Sequence, residues 1–128
     1  MIITMIKVFI SQPLNGLTEE EVMETRKKAI THATKLINEK LHPMKETEIE
    51  FMETYIYEDA PEDAGRLWYL GRSIQELGKA DFVYFVDGWE KASGCISEAV
   101  IADLYEIPVL YRENTAEKVG YAFTWYRG

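Results

Sequence analysis

Cysteine, histidine, basic charge and long apolar runs are all scarce in this chain, and each shortage narrows what it can be. A single cysteine, Cys95, in 128 residues excludes an internal disulfide and fits a reducing cytoplasm. The two histidines, His32 and His42, fall on or just after the first helical pattern with no metal-ligand spacing, so neither a metal nor a cofactor is expected. Lysine and arginine number 14 against 22 acidic residues, a net charge of -8. A phosphate backbone needs a basic surface, so nucleic acid is not expected as a partner. A small phosphorylated ligand needs only a few donors and stays open. No apolar run approaches membrane-spanning length, so no membrane partner is expected. The opening Met1–Ile6 has no basic front region and no small-residue cleavage site, so no signal peptide is expected. No internal repeat, low-complexity segment, Walker lysine motif or G-x-G-x-x-G is visible.

What is present reads as one domain over residues 1–128, with 47% hydrophobic and 28% charged residues, ordinary for a soluble globule. Its organising stretch is Lys79–Ile107. The apolar run Phe82–Val86 ends in Asp87-Gly88, a polar loop follows, and Gly94 opens a helical pattern with Glu98 on its first turn. Pro108–Tyr111 reads as the next strand. Upstream, Met5–Ser11 predicts a first strand, nearly all apolar as a sheet covered on both faces requires. The turn formers Gln12-Pro13-Leu14-Asn15-Gly16 follow. Thr18 with Glu21 forms a capping box, and Val22, Ala29, Ile30, Ala33, Leu36 and Ile37 mark one helix face. His42-Pro43 stops that helix. Glu48–Tyr57 predicts a second strand, Glu58–Arg66 an acidic loop, and Leu67–Leu77 a helix capped by Gly78. The tail Arg112–Gly128 carries Tyr121, Phe123, Trp125 and Tyr126, an aromatic cluster that packs on the body or meets another subunit. Alternating strands and helices imply right-handed crossovers. The expected fold is α/β, a flavodoxin-like (Rossmann-like) three-layer sandwich whose parallel sheet of four or five strands has the order 2-1-3-4. Its switch point lies between the first and third strands, so the loops Ser11–Gly16 and Asp87–Gly94 flank one crevice.

Two carboxylates, Asp87 and Glu98, then face one pocket mouth, the minimum for chemistry at a glycosidic carbon. Glu98 has two readings: an acid favoured by the helix dipole, or a nucleophile for an anomeric carbon. Asp87 is either a turn residue before Gly88 or a group that protonates a leaving base or holds a sugar hydroxyl. Asp81 sits at the wrong end of its strand and is expected to be structural. Ser11, Gln12 and Gly16 form either a plain polar turn or a cradle of donors for sugar or phosphate, with Pro13 among the residues that would line it. Phe9 reads as core on a strand that points at the site. Trp89, after Gly88, is an exposed loop aromatic or a stacking surface for a base. Ser93 and Ser97, around Gly94, flank a helix start able to take a phosphate. Cys95 has no histidine near it in sequence, so a cysteine nucleophile has little support.

The segments VFISQPLNG, LWYLGRSIQELGKADFVYFVDGW and GCISEAVIADLYEIPVL resemble the nucleoside 2-deoxyribosyltransferase-like superfamily, closest to a group of small bacterial and phage proteins of unknown function within it. The resemblance runs from Lys7 to Leu110. It implies a retaining double displacement, in which the glutamate matching Glu98 attacks the deoxyribose anomeric carbon and expels the base. A second base, or water, then resolves the sugar–enzyme ester. It also implies a phosphate site near the first loop and the helix start in the hydrolase members, and a site commonly shared between two subunits of a homodimer or larger assembly. The chain departs from the family pattern where an aspartate before the third strand is replaced near Arg72 and Ser73, in the rebuilt loop Gly88–Ser93, and at Ala99, where Gly or His is common.

Two functions follow as expectations. One is an N-glycosidic enzyme, transferase or hydrolase, acting on nucleosides or nucleoside monophosphates. The other is a non-catalytic binder of nucleotide or ADP-ribose-like signal ligands in the same crevice. Retention of Glu98 and Asp87 favours the first; the replaced aspartate favours the second.

Overall fold

Side chains along the first strand, β1 (Thr4–Ser11), alternate between two faces, and that alternation divides the core. The computed structural model describes residues 4–41, 47–53 and 57–113. Ile6, Val8 and Ile10 point to one face, where they meet Ala29, Ala33 and Ile37 of helix α1 (Glu19–Lys40). Phe9 points to the other, among Val83 and Phe85 of strand β3 (Phe82–Phe85) and Cys95, Ala99 and Ala102 of helix α3 (Ser93–Leu104). Small alanines at i, i+4 on α1 and i, i+3 on α3 let both helices lie close against the sheet. Each fully buried large side chain, such as Phe9 or Phe85, contributes roughly 1.5–3 kcal/mol through its removal from water.

Strand β2 (Thr47–Phe51), helix α2 (Arg66–Leu77), strand β4 (Val109–Tyr111) and a short 3-10 turn (Trp89–Lys91) complete the described elements. Every pairing is parallel, and the sheet order is β2-β1-β3-β4. The fold class is therefore the one expected: α/β, flavodoxin-like, with four strands among the described residues. Val8 stands at the centre of the sheet, in register with Phe51 on one side and Phe82 on the other. Both loops named above leave the carboxyl ends of the two central strands. Among the described residues no helix is long and apolar enough to cross a membrane.

Local signals set most element ends. Thr18 Oγ1 accepts from the Glu21 amide at 3.1 Å, and the Glu21 side chain returns to the Thr18 amide at 3.2 Å, closing the expected capping box. Helix α1 ends at Lys40 with Leu41 as its cap; the proposed stop at His42-Pro43 lies outside the described residues. The expected second strand, Glu48–Tyr57, is shorter than read. It ends at Phe51; the Met52 amide still donates to the Val8 carbonyl at 3.0 Å, while the Met52 carbonyl accepts from the buried Arg26 guanidinium at 2.7 Å. Residues 54–56 are outside the described set, as is the aromatic part of the tail from 114 onward. Asp81 is structural, its carboxylate accepting from the Lys7 amide at 2.9 Å where β1 and β3 begin to pair.

Candidate active site

Helix α3 starts at Ser93 with Ala92 as its cap, and no side chain caps it. Gly94 is thus its second residue, and Glu98 is its sixth, on the second turn rather than the first. Glu98 lies on the buried face of α3, beneath the carboxyl end of β1. Ser11, the last residue of β1, donates to Glu98 Oε1 at 2.7 Å. Ser73, from α2, donates to Glu98 Oε2 at 2.6 Å. All three residues are buried. A strand end and two helices thus converge on one carboxylate, and each oxygen has its own hydroxyl donor.

Burial pushes the Glu98 carboxyl above its ordinary range, while the Ser73 and Ser11 hydrogen bonds pull it back. Burial also pushes the neighbouring Cys95 thiol up to about 12, against a Ser11 hydrogen bond and with the Glu98 charge adding to the rise. A thiol this reluctant to ionise is a poor nucleophile. Tyr57, just beyond β2, is likewise pushed up to about 12, first by burial and then by the Glu98 charge, with Arg72 opposing. The Arg72 guanidinium lies 5.1 Å over the Tyr57 ring and is itself gripped by Glu76 and Asp59.

Asp87 does not join this cluster. It is exposed and accepts from the Tyr111 hydroxyl at 2.7 Å. The Tyr111 ring stacks on Tyr84 at 5.0 Å and meets His32 of α1 at 4.8 Å, so Asp87 is drawn toward the α1 side of the sheet. Among the described residues no hydrogen bond links the two acids and they share no partner. The Asp87 carboxylate, just past the carboxyl end of β3, is held by a tyrosine on β4 rather than by the hydroxyls that hold Glu98.

Trp89 is neither an exposed loop aromatic nor an open stacking surface. Gly88 adopts a left-handed φ of 93°, which returns the chain toward the sheet and drives Trp89 into the core at 1% exposure. There it packs on Phe85 at 5.6 Å and donates its indole N–H to the Glu113 carbonyl at 3.3 Å. Phe9 is core, as read. Ser97 spends its hydroxyl on the Ser93 carbonyl at 2.8 Å, one turn back, and Ser93 accepts from Arg66 at 2.9 Å. In the first loop, Gln12 donates to the Val22 carbonyl at 3.2 Å and leaves its Oε1 buried with no partner among the described residues. Pro13 precedes the following turn and Gly16 belongs to it. Gly16 takes a φ of 78° between Leu14 and Leu17, whose backbone bond closes the turn at 3.3 Å, as a glycine at this position of a type II turn requires.

Of the residues read as site, the structure thus brings Ser11 and Glu98 together and leaves Asp87, Trp89 and Ser97 engaged elsewhere. Sequence reasoning did not assign Ser73 or Tyr57. Ser73 carried one signal, its position where the resembled family has an aspartate; Tyr57 carried none, being absorbed into the expected second strand. Among the described residues no three His, Cys, Asp or Glu side chains gather as a metal site. A broad hollow along the outer face of α1, around Thr31, Lys35 and Asn38, is built from one helix and is separated from Glu98 by the sheet. In comparisons with protein-family models, with curated proteins and with solved structures, the chain finds no match.

Proposed function

We propose that the protein breaks the N-glycosidic bond of a nucleoside or nucleoside monophosphate through a covalent intermediate on Glu98. The observation that carries this reading is the buried Glu98 carboxylate, positioned at the sheet's carboxyl edge by two hydroxyls from different elements. A glutamate oxygen attacks C1′ as the C1′–N bond breaks, and the bonding pair leaves with the base nitrogen, which takes a proton from solvent. The resulting glycosyl ester is attacked at C1′ by water or by the ring nitrogen of a second base. The ester C–O bond then breaks, Glu98 regains its charge, and the attacking group releases its proton to solvent. Two displacements at one carbon retain its configuration. Ser11 and Ser73 hold the carboxylate in line and share its charge while it is free. The chemistry needs neither metal nor cofactor.

The buried, unreactive Cys95 fits a cytoplasmic protein. The exposed Leu67 and Tyr69 on α2, the helix that carries Ser73, support a homodimer or larger assembly that covers this edge of the site.

A second reading, a non-catalytic binder of a nucleotide or ADP-ribose-like ligand, is favoured by two observations. Asp87 is engaged by Tyr111, and Ser73 stands near where the resembled enzymes carry an aspartate. One assay separates the two: incubation with deoxynucleosides and their 5′-monophosphates, followed by chromatography for free base. Under the enzymatic reading Glu98→Ala loses about 10³-fold or more in base release while ligand binding changes far less. Release by Glu98→Ala at the wild-type rate removes Glu98 from the chemistry. Tight binding by the wild type without any release establishes the binder.

A further inference from the structure

Tyr57 opens the loop from β2 into α2, and α2 holds its ring. The Arg72 guanidinium stands 5.1 Å over the ring, and Trp68, one turn earlier, meets it edge-on at 6.3 Å. Arg72 is anchored in turn by Glu76 and Asp59. Ser73, the donor to Glu98 Oε2, follows Arg72 directly, so one turn of helix fixes both the phenol and the carboxylate. Yet the Tyr57 hydroxyl is buried and has no hydrogen-bond partner among the described residues. A buried polar group left unpaired is costly and uncommon, and it persists where something outside the resting fold uses it. The phenol, pushed up to about 12, keeps its proton across the working pH range and therefore offers a donor.

We propose that the Tyr57 hydroxyl is a ligand-contacting donor of the Glu98 site, hydrogen-bonding a carbonyl oxygen or ring nitrogen on the heterocyclic base of the bound nucleoside. This rests on the N-glycosidic reading above. The acceptor is a neutral one because the phenol lies within the field of Glu98, where an anionic group would meet a like charge while Arg72 is already committed to two carboxylates. When the C1′–N bond breaks, the electron pair passes to the base and spreads over these acceptor atoms. A donor placed at these atoms binds the transition state more tightly than the substrate. Tyr57 keeps its proton throughout, and no bond to it forms or breaks.

The test compares wild type with Tyr57→Phe, which removes the oxygen and keeps the ring. Both proteins are melted, then assayed for base release from deoxynucleosides and their 5′-monophosphates. The assay is repeated with analogues whose base lacks one ring nitrogen or one carbonyl. Tyr57→Phe is expected to melt at or above the wild-type temperature and to lose about tenfold or more in kcat/KM. For one analogue the wild type should lose a similar factor and the variant nothing further. Wild-type turnover by Tyr57→Phe overturns the assignment of Tyr57 and leaves the N-glycosidic reading standing. A lowered melting temperature with the same proportional loss on every analogue makes Tyr57 a packing residue and also overturns it. If the wild type binds a nucleotide without releasing base, the N-glycosidic reading fails and dissociation constants become the readout. A tenfold weaker Tyr57→Phe then supports the contact and an equal one overturns it. If the wild type neither releases base nor binds, both readings fall.

Discussion

Glu98 carries a tension between stability and chemistry. At 7% exposure it meets two hydroxyls and, among the described residues, no cation. Its folded-state carboxyl holds a proton more tightly than the unfolded chain does. A raised carboxyl stabilises the fold below its unfolded value, and that contribution is lost as pH rises through the folded value. Glu98→Gln removes the titration while keeping the shape, and either serine hydroxyl can rotate to accept from the amide. Its melting temperature should therefore gain on wild type as pH rises through and above the ordinary carboxylate range, with base release abolished. A gap that stays constant across this range shows that Glu98 is not charged at a cost. The same shift moves the acid limb of base release above the range of a free glutamate, because the attacking form is the ionised one.

At the level of elements, the two helices flanking the site end in mismatched residues. Gly78 caps α2 in a right-handed conformation, φ -63°, where a Cβ would meet only ordinary contacts at 3.5 Å and beyond. Glycine's freedom is unused there and only enlarges the entropy of the unfolded chain. Beyond α3, Glu106 takes a left-handed φ of 56°, while the next amide, of Ile107, returns to the Ala102 carbonyl at 2.9 Å. That position after a helix end is one glycine fills without strain. Gly78→Ala and Glu106→Gly should each stabilise by about 0.5–1 kcal/mol, read from urea midpoints. Destabilisation by either means that its backbone conformation is not the one described. Thr18 and Glu21 show the opposite case, since their spacing and their geometry agree and the start of α1 was legible from the sequence.

For the whole molecule, α2 is the least covered of the three α-helices among the described residues. Leu67 is 81% and Tyr69 45% exposed, and only Ser73 and Leu77 of that helix are buried. If this face joins copies of the chain, light scattering at micromolar concentration should give about 30 kDa or more, twice the chain mass of 14.8 kDa, and Leu67→Glu should shift it toward the monomer. A wild-type mass near that of one chain counts against the assembly. The sequence by itself determined the succession of strands and helices and the apolar faces. The succession and the faces follow from local periodicity and turn formers, properties of neighbouring residues, while the right-handed crossover left the sheet a few orders, of which the flavodoxin-like one was the expectation. The tertiary structure decided which side chains meet. Ser11 and Glu98 are 87 positions apart and Ser73 and Glu98 are 25 apart, and no local pattern encodes a hydrogen bond across that distance. Packing of α3 against β1 and α2 set Glu98 between two hydroxyls, a tyrosine on β4 took Asp87, and the backbone turn at Gly88 buried Trp89. Each outcome depends on what a side chain finds opposite it once helices and sheet are packed, and that is settled by the fold as a whole.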